Sequence, residues 1–383
     1  MISTRHTGVL AGLILLSAGA LGAQDREEEV REQRLRGAPV RHIISIGNHP
    51  RVDGIRLNYR DWDLEKVRGV NVTIWRPYED DFSGTVIGAA IGLPMTAAED
   101  IRGVGIGLFG VGASNNMRGV NIGGVGVGAG GSLRGISIGL VGAGAGNEVR
   151  GLAAGGVGVG AGGSVTGIVF GGIGAGAGGS VRGAAVGGIG VGAGGDVTGL
   201  MIGGIGAGAG GSVRGISFGG VGVAGGGSIC CIQVGGVGVG SGGRVSGLTV
   251  GGIGVGAGSR VTGITIAGIG VGAGGTIKGI TVAGLGVGAP RIEGGVAGLL
   301  VGAEEVTGVV IAPILFRTEY GGQFTGVSVS AVNAVRGAQK GISIGIVNYT
   351  ERLFGIQLGV VNVVRDNPAP FRVLPIVNAG RSR

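Results

Sequence analysis

A glycine returns every 16 residues through the centre of this 383-residue chain. In the segment Arg134-Gly135-Ile136-Ser137-Ile138 it is Gly135. The same position recurs at Gly103, Gly119, Gly151, Gly167, Gly183, Gly199 and Gly215; Cys231 takes the next place, then Gly247, Gly263 and Gly279. Looser copies precede this block at Gly54, Gly69 and Gly84, and follow it at Gly294, Gly308, Gly326, Gly341 and Gly355. Self-similarity at a fixed short period marks a repeat architecture, and the count is about 20 units.

One unit is Gly151 to Thr166, GLAAGGVGVGAGGSVT, numbered 1 to 16 from its glycine. Apolar residues fall at unit positions 2 and 4, then at 7, 9 and 11. Alternation of period two means strand. The parity changes at the Gly-Gly pair, which places a bend there, and the Gly-Gly-Ser segment supplies a second one. Each unit is therefore two short strands and two corners that glycine permits. This pattern puts Val157 and Val159 inside and Ser164 outside at a turn.

The fold class is all-β, and a β-solenoid is favoured. Each unit would be one coil that meets an identical neighbour above and below. At about 4.8 Å per coil the stack would run roughly 96 Å. The alternative is a closed antiparallel array or barrel of hairpins, which in a membrane would be a pore. Phe170 and Phe218 are the only aromatics between Gly110 and Pro290, and the chain ends Gly380-Arg381-Ser382-Arg383. Neither supplies the aromatic girdle of a membrane barrel.

Composition excludes the other classes. Glycine is 99 of 383 residues, without the three-residue period and proline content of collagen. Apolar residues reach 44%, too many for a disordered linker. Glycine costs about 1 kcal/mol per site in a helix interior, which excludes a helical bundle.

Residues 1–23 read as a cleaved signal peptide. Arg5 and His6 precede an apolar core from Val9 to Leu16, and the small residues Ala18, Ala20 and Ala23 offer cleavage after Ala20 or Ala23. Residues 24–51 are a charged leader. Residues 52–102 are polar and aromatic N-terminal cap repeats that carry Tyr59, Trp62, Trp75 and Tyr78. Residues 103–293 are the regular repeats, and 294–383 are divergent C-terminal repeats and a cap. In those last units asparagine replaces glycine, as at Asn348 and Asn362, since both residues tolerate left-handed turns.

The units GISIGIVN (Gly341 to Asn348) and GIQLGVVN (Gly355 to Asn362), with the ending NPAPFRVLPIVN, resemble a bacterial family of exported glycine-rich surface-repeat proteins of the spirochaete type. Gly54-Ile55-Arg56-Leu57-Asn58 is similar to that family's N-terminal units. The resemblance is clearest over Gly341 to Asn378. It implies export and a surface or envelope location (cell surface, outer membrane or periplasm), and no known activity.

Catalytic chemistry is not expected. The string Gly126-Val127-Gly128-Ala129-Gly130-Gly131 fits a dinucleotide motif, but it recurs in nearly every unit without a helix, so it reads as a turn. No cofactor is expected. His42, His49 and Asp53 are read as cap residues rather than metal ligands. Glu148 and Asp196 are the only acids between Gly103 and Pro290, three units apart and too distant for paired-carboxylate hydrolysis. Cys230-Cys231 interrupts the repeat as a local substitution. Thr249, Thr265 and Thr281 share unit position 3, too few rungs for an ordered-water surface.

One constellation stands out. Position 16 is occupied by Arg102, Arg118, Arg134, Arg150, Thr166, Arg182, Thr198, Arg214, Cys230, Ser246, Thr262 and Lys278. Stacking would align these residues in a ridge. Its cations would attract anionic polysaccharide or lipopolysaccharide, or else keep the rim of the sheet soluble. The chain carries a formal charge of +8. Nucleic acid is a poor partner for an exported chain, whereas membrane association is compatible with it. The expected function is that of an exported, non-enzymatic surface protein of the bacterial envelope. A membrane barrel or pore is the alternative.

Overall fold

The computed structural model describes residues 43–77 and 82–380. Among these, every regular element is a β-strand. A central coil holds a long strand, Val165–Gly171, and a short one, Gly174–Ala177. The next coil repeats them as Val181–Gly187 and Gly190–Ala193. Long pairs with long and short with short, all parallel. Gly167 lies beside Gly183 and Ala175 beside Val191, each a full 16 residues on. The molecule is a parallel β-solenoid, and the antiparallel hairpin array is not adopted.

The glycine at position 1 is dictated by close approach. Each such glycine has a positive φ, for example +127° at Gly167 and +124° at Gly183. A Cβ on Gly183 would stand 2.1 Å from the Gly167 carbonyl oxygen. The column extends into the divergent C-terminal coils, where a Cβ on Gly355 would stand 2.0 Å from the Gly341 oxygen. At its N-terminal end it passes Gly54, Gly69, Gly88 and Gly103. Gly88, not Gly84, is therefore the third anchor. Gly84 precedes the strand Thr85–Gly92, and its carbonyl accepts from the amides of Glu99 and Asp100.

The long strand corrects the sequence-based inside and outside. Its alternation runs unbroken from position 15, so positions 15, 3 and 5 face inward. Positions 2 and 4 face solvent, as does the corner residue at 7. In one coil Val165 and Val169 are 1% exposed, while Ile168 and Phe170 are each 53%. Val159 is buried as expected, but Val157 is exposed at the corner. The interior is thin: a Cβ on Gly105, at position 3, would stand 2.8 Å from Val111 Cγ1, at position 9. Long-strand and short-strand interiors thus face each other, and their outer sides look in opposite directions. In the four consecutive coils that begin at Gly151, Gly167, Gly183 and Gly199, volumes compensate across the gap, whereas the coil before them sets Ser137 with Ala143. Ala153 goes with Val159, Val169 with Ala175, Ala185 with Val191 and Met201 with Ala207.

Both ends depart from this apolar core. At the N-terminal end the inward position 3 is filled by Arg56 and Asn71, both fully buried. Arg56 is ion-paired with Asp61 and donates to Asn71 at 2.8 Å, and Asp61 also accepts from Asn58 and Asn71 at 3.0 Å. Tyr59 and Trp75 stack with centroids 6.5 Å apart. Tyr78, His42 and the signal segment lie outside the described residues. The first strand, Ile44–Ile46, pairs in register with Arg51–Asn58. The coils thus begin inside the segment assigned to the leader.

At the C-terminal end Asn333, Asn348 and Asn362 form a buried amide ladder. Asn333 donates to Asn348 and Asn348 to Asn362, each at 2.7 Å. Neither Asn348 nor Asn362 has a positive φ, so they are core hydrogen-bonding groups rather than turn formers. The last strand, Val373–Gly380, reverses direction and pairs antiparallel with Gly355–Val363, covering the final coil.

Candidate anion-binding ridge

The position-16 column exists as a stacked row. Arg102 pairs with Arg118, Arg118 with Arg134, and Arg134 with Arg150. It continues through Thr166, Arg182, Thr198 and Arg214, then Cys230, Ser246, Thr262 and Lys278. The side chains point outward on the long-strand face, beside the aliphatic residues at position 2.

Much of the ridge is neutralised from position 14, two residues earlier on the same face. Glu148 accepts from Arg134 at 2.7 Å and from Arg150 at 3.0 Å. The hydrogen bond from Arg134, with Arg150 adding to it, holds the Glu148 carboxyl below the usual carboxylate range. Asp100, also at position 14, lies 3.3 Å from Arg102, while Glu293, the next rung of the position-16 column itself, lies 3.2 Å from Lys278. Among the described residues no acid pairs with Arg118, Arg182 or Arg214. Within the ridge these three are the cations left for an outside anion.

Position 14 has a second task that sequence reasoning did not anticipate. Its side-chain oxygen accepts from the backbone amide at position 14 of the next coil. The Ser180 amide donates to Ser164, that of Asp196 to Ser180, that of Ser212 to Asp196 and that of Ser228 to Ser212, at 2.7 to 3.3 Å. Asp196 is thus a rung of this turn ladder, separated from Glu148 by the rungs Ser164 and Ser180. The repeated serine before Val and Arg was the available signal.

The remaining singled-out residues disperse. His49 bonds Ser45 at 2.8 Å. Among the described residues no group of three His, Cys, Asp or Glu side chains converges. Thr249, Thr265 and Thr281 are buried at position 3, so the ladder they form lines the interior rather than a surface. Cys230 and Cys231 are free thiols with sulfurs 2.8 Å apart. Burial, with the neighbouring thiol adding to it, pushes the Cys230 thiol up, which keeps it protonated. Comparison with family models, with curated proteins and with solved structures finds no match for this chain.

Proposed function

We propose that the protein is an exported, non-enzymatic structural repeat protein of the bacterial cell envelope or surface. The observation that carries this reading is the register of the glycine column from Gly54 to Gly355, which builds one rod with equivalent positions stacked at each level. A rod of this kind displays and spaces. The signal-like residues 1–23 and the surface-repeat resemblance at Gly341 to Asn378 are what support export and an envelope location. The parallel pairing removes the hairpin barrel on which a pore reading rested.

A polyanion partner is favoured by one specific feature, the unpaired Arg118, Arg182 and Arg214 in a single outward column. Phosphorylated lipopolysaccharide or an acidic polysaccharide carries repeated anions that such a column of guanidinium groups attracts.

Fractionation of the native host, with N-terminal sequencing, tests the main reading. The protein is expected in the envelope or surface fraction, beginning at Leu21 or Gln24, and released by carbonate or high salt. A chain that begins at Met1 and stays in the cytosol overturns it.

A further inference from the structure

Position 10 holds glycine for a reason that the coil itself does not supply. Gly128, Gly160, Gly192, Gly240, Gly256 and Gly272 point away from the core, and a Cβ on any of them meets nothing within 4 Å. None has a positive φ. Neither packing within the chain nor backbone conformation asks for glycine there, and glycine weakens a strand that a side chain would strengthen. With glycine also at positions 8 and 12, the outer side of the short strands from Gly126 to Gly274 is bare backbone without charge, interrupted only by the methyl of Ala224. A strand face kept bare over many coils is suited to close approach by another layer.

The opposite wall carries the complement. Outward columns at positions 2 and 4, with the corner column at 7, display exposed Ile, Leu, Val and Phe from Val104 to Leu285. At roughly 50 Å² of exposed apolar surface per residue these columns present on the order of 1,000 Å². The largest apolar patch on a typical monomer is about 300–600 Å². A stable protein interface needs about 800 Å² per partner.

We infer that copies of this chain associate side by side, the aliphatic columns of one rod seated on the glycine face of the next. A second copy fits better than a lipid surface. Lipid would favour apolar side chains over bare glycine at position 10, whereas a wall of side chains needs the space that glycine leaves. Only another array with the same coil spacing meets every rung in the same way, as in the dry interfaces between stacked sheets. The contact joins unlike faces on opposite walls. Each bound copy therefore offers a free face to the next, and the association is open-ended. It holds wherever the protein resides and does not depend on the envelope reading.

Sedimentation velocity on the purified full chain, over a concentration series, tests this. Wild type is expected to form species larger than the monomer. A triple variant Gly160→Arg, Gly192→Arg, Gly256→Arg blocks the bare face, and Ile168→Ser, Phe170→Ser, Ile173→Ser removes part of the aliphatic one. Each should weaken association at least tenfold with an unchanged circular dichroism spectrum. Mixing the two variants should restore a 1:1 pair, because each retains the face that the other lacks. If arginine unfolds the rod, Gly→Val at the same three positions gives the same readout. A wild-type chain that stays monomeric overturns the inference, and co-sedimentation of that monomer with phosphatidylglycerol vesicles assigns the aliphatic face to lipid. Undiminished association of the folded glycine-face variant also overturns it, as does failure of the mixture to pair.

Discussion

Gly247 copies the backbone of Cys231: φ is +96° at the glycine and +92° at the cysteine one coil earlier. Before the cysteine, Gly215 has +133°. After it the angle recovers in steps, +105° at Gly263, +110° at Gly279, +126° at Gly294 and +135° at Gly308. Cys231 carries a Cβ in a column where, at the glycines, a Cβ would meet the preceding carbonyl oxygen. The two lowest angles among the regular repeats' anchors are thus at Cys231 and the glycine one coil after it.

Cys231→Gly is therefore expected to stabilise the fold. Relief of a non-glycine residue at positive φ contributes about 1–3 kcal/mol, against about 0.5–1 kcal/mol for the added chain entropy of glycine. The net gain should be about 1 kcal/mol, read as a rise in the urea midpoint. A lower midpoint would show that Cys231 makes a contact worth more than its strain.

Inside and outside are tested by one pair of valines. Val159→Asp buries an unpaired charge and should cost several kcal/mol. Val157→Asp, two residues earlier at the exposed corner, should cost under about 0.5 kcal/mol. Ser164→Asp should be as mild, because Asp196 already serves as a rung of that ladder. Equal melting temperatures for the two valine variants would contradict the placement of position 7.

Volume compensation predicts a coupled pair. Ala153→Met overfills its coil and should cost about 1–3 kcal/mol. Adding Val159→Ala reproduces the Met201 and Ala207 pairing and should recover most of the loss. Simple additivity in the double-mutant cycle would mean that positions 3 and 9 do not share a space.

Glu148 makes the ridge sensitive to acid. Its carboxyl is held low by Arg134 and then Arg150, so its ion pairs are complete above the usual carboxylate range and are lost as pH falls through the lowered value. Retention on heparin should therefore rise only below about pH 4, as Arg134 and Arg150 are released. Glu148→Gln should raise retention at neutral pH. Arg118→Thr, Arg182→Thr and Arg214→Thr together should abolish it, and salt should weaken it throughout, with a Debye length of about 10 Å at 0.1 M. Binding that is unchanged in the triple variant would remove the ridge as the site.

The period alone makes the coil, the register and the ridge legible, because a 16-residue step places each Arg of position 16 above the last. The inward face is harder to read. Val and Ile are as apolar at positions 2 and 4 as at 15 and 9, so hydrophobicity cannot choose between the parities. What could have chosen is the exchange of large for small between Val169 with Ala175 and Met201 with Ala207. Asn348 and Asn362 misled for a different reason. Asparagine serves both left-handed turns and amide ladders, and only the stacked register distinguishes them. Gly84 keeps the spacing of an anchor, whereas the chain spends four more residues before reaching Gly88, the residue in register with Gly69.

The reversed final strand fixes more than the end of the core. A parallel stack would otherwise accept another coil on its last edge. Val373–Gly380 turns that edge around, Pro375 withholds an amide from it, and Ile376 leaves the strand conformation at φ +65°. Growth along the axis stops there. The rod is thus a ruler whose length is written in the chain and not set by concentration, and each 16-residue unit gained or lost changes it by about 4.8 Å.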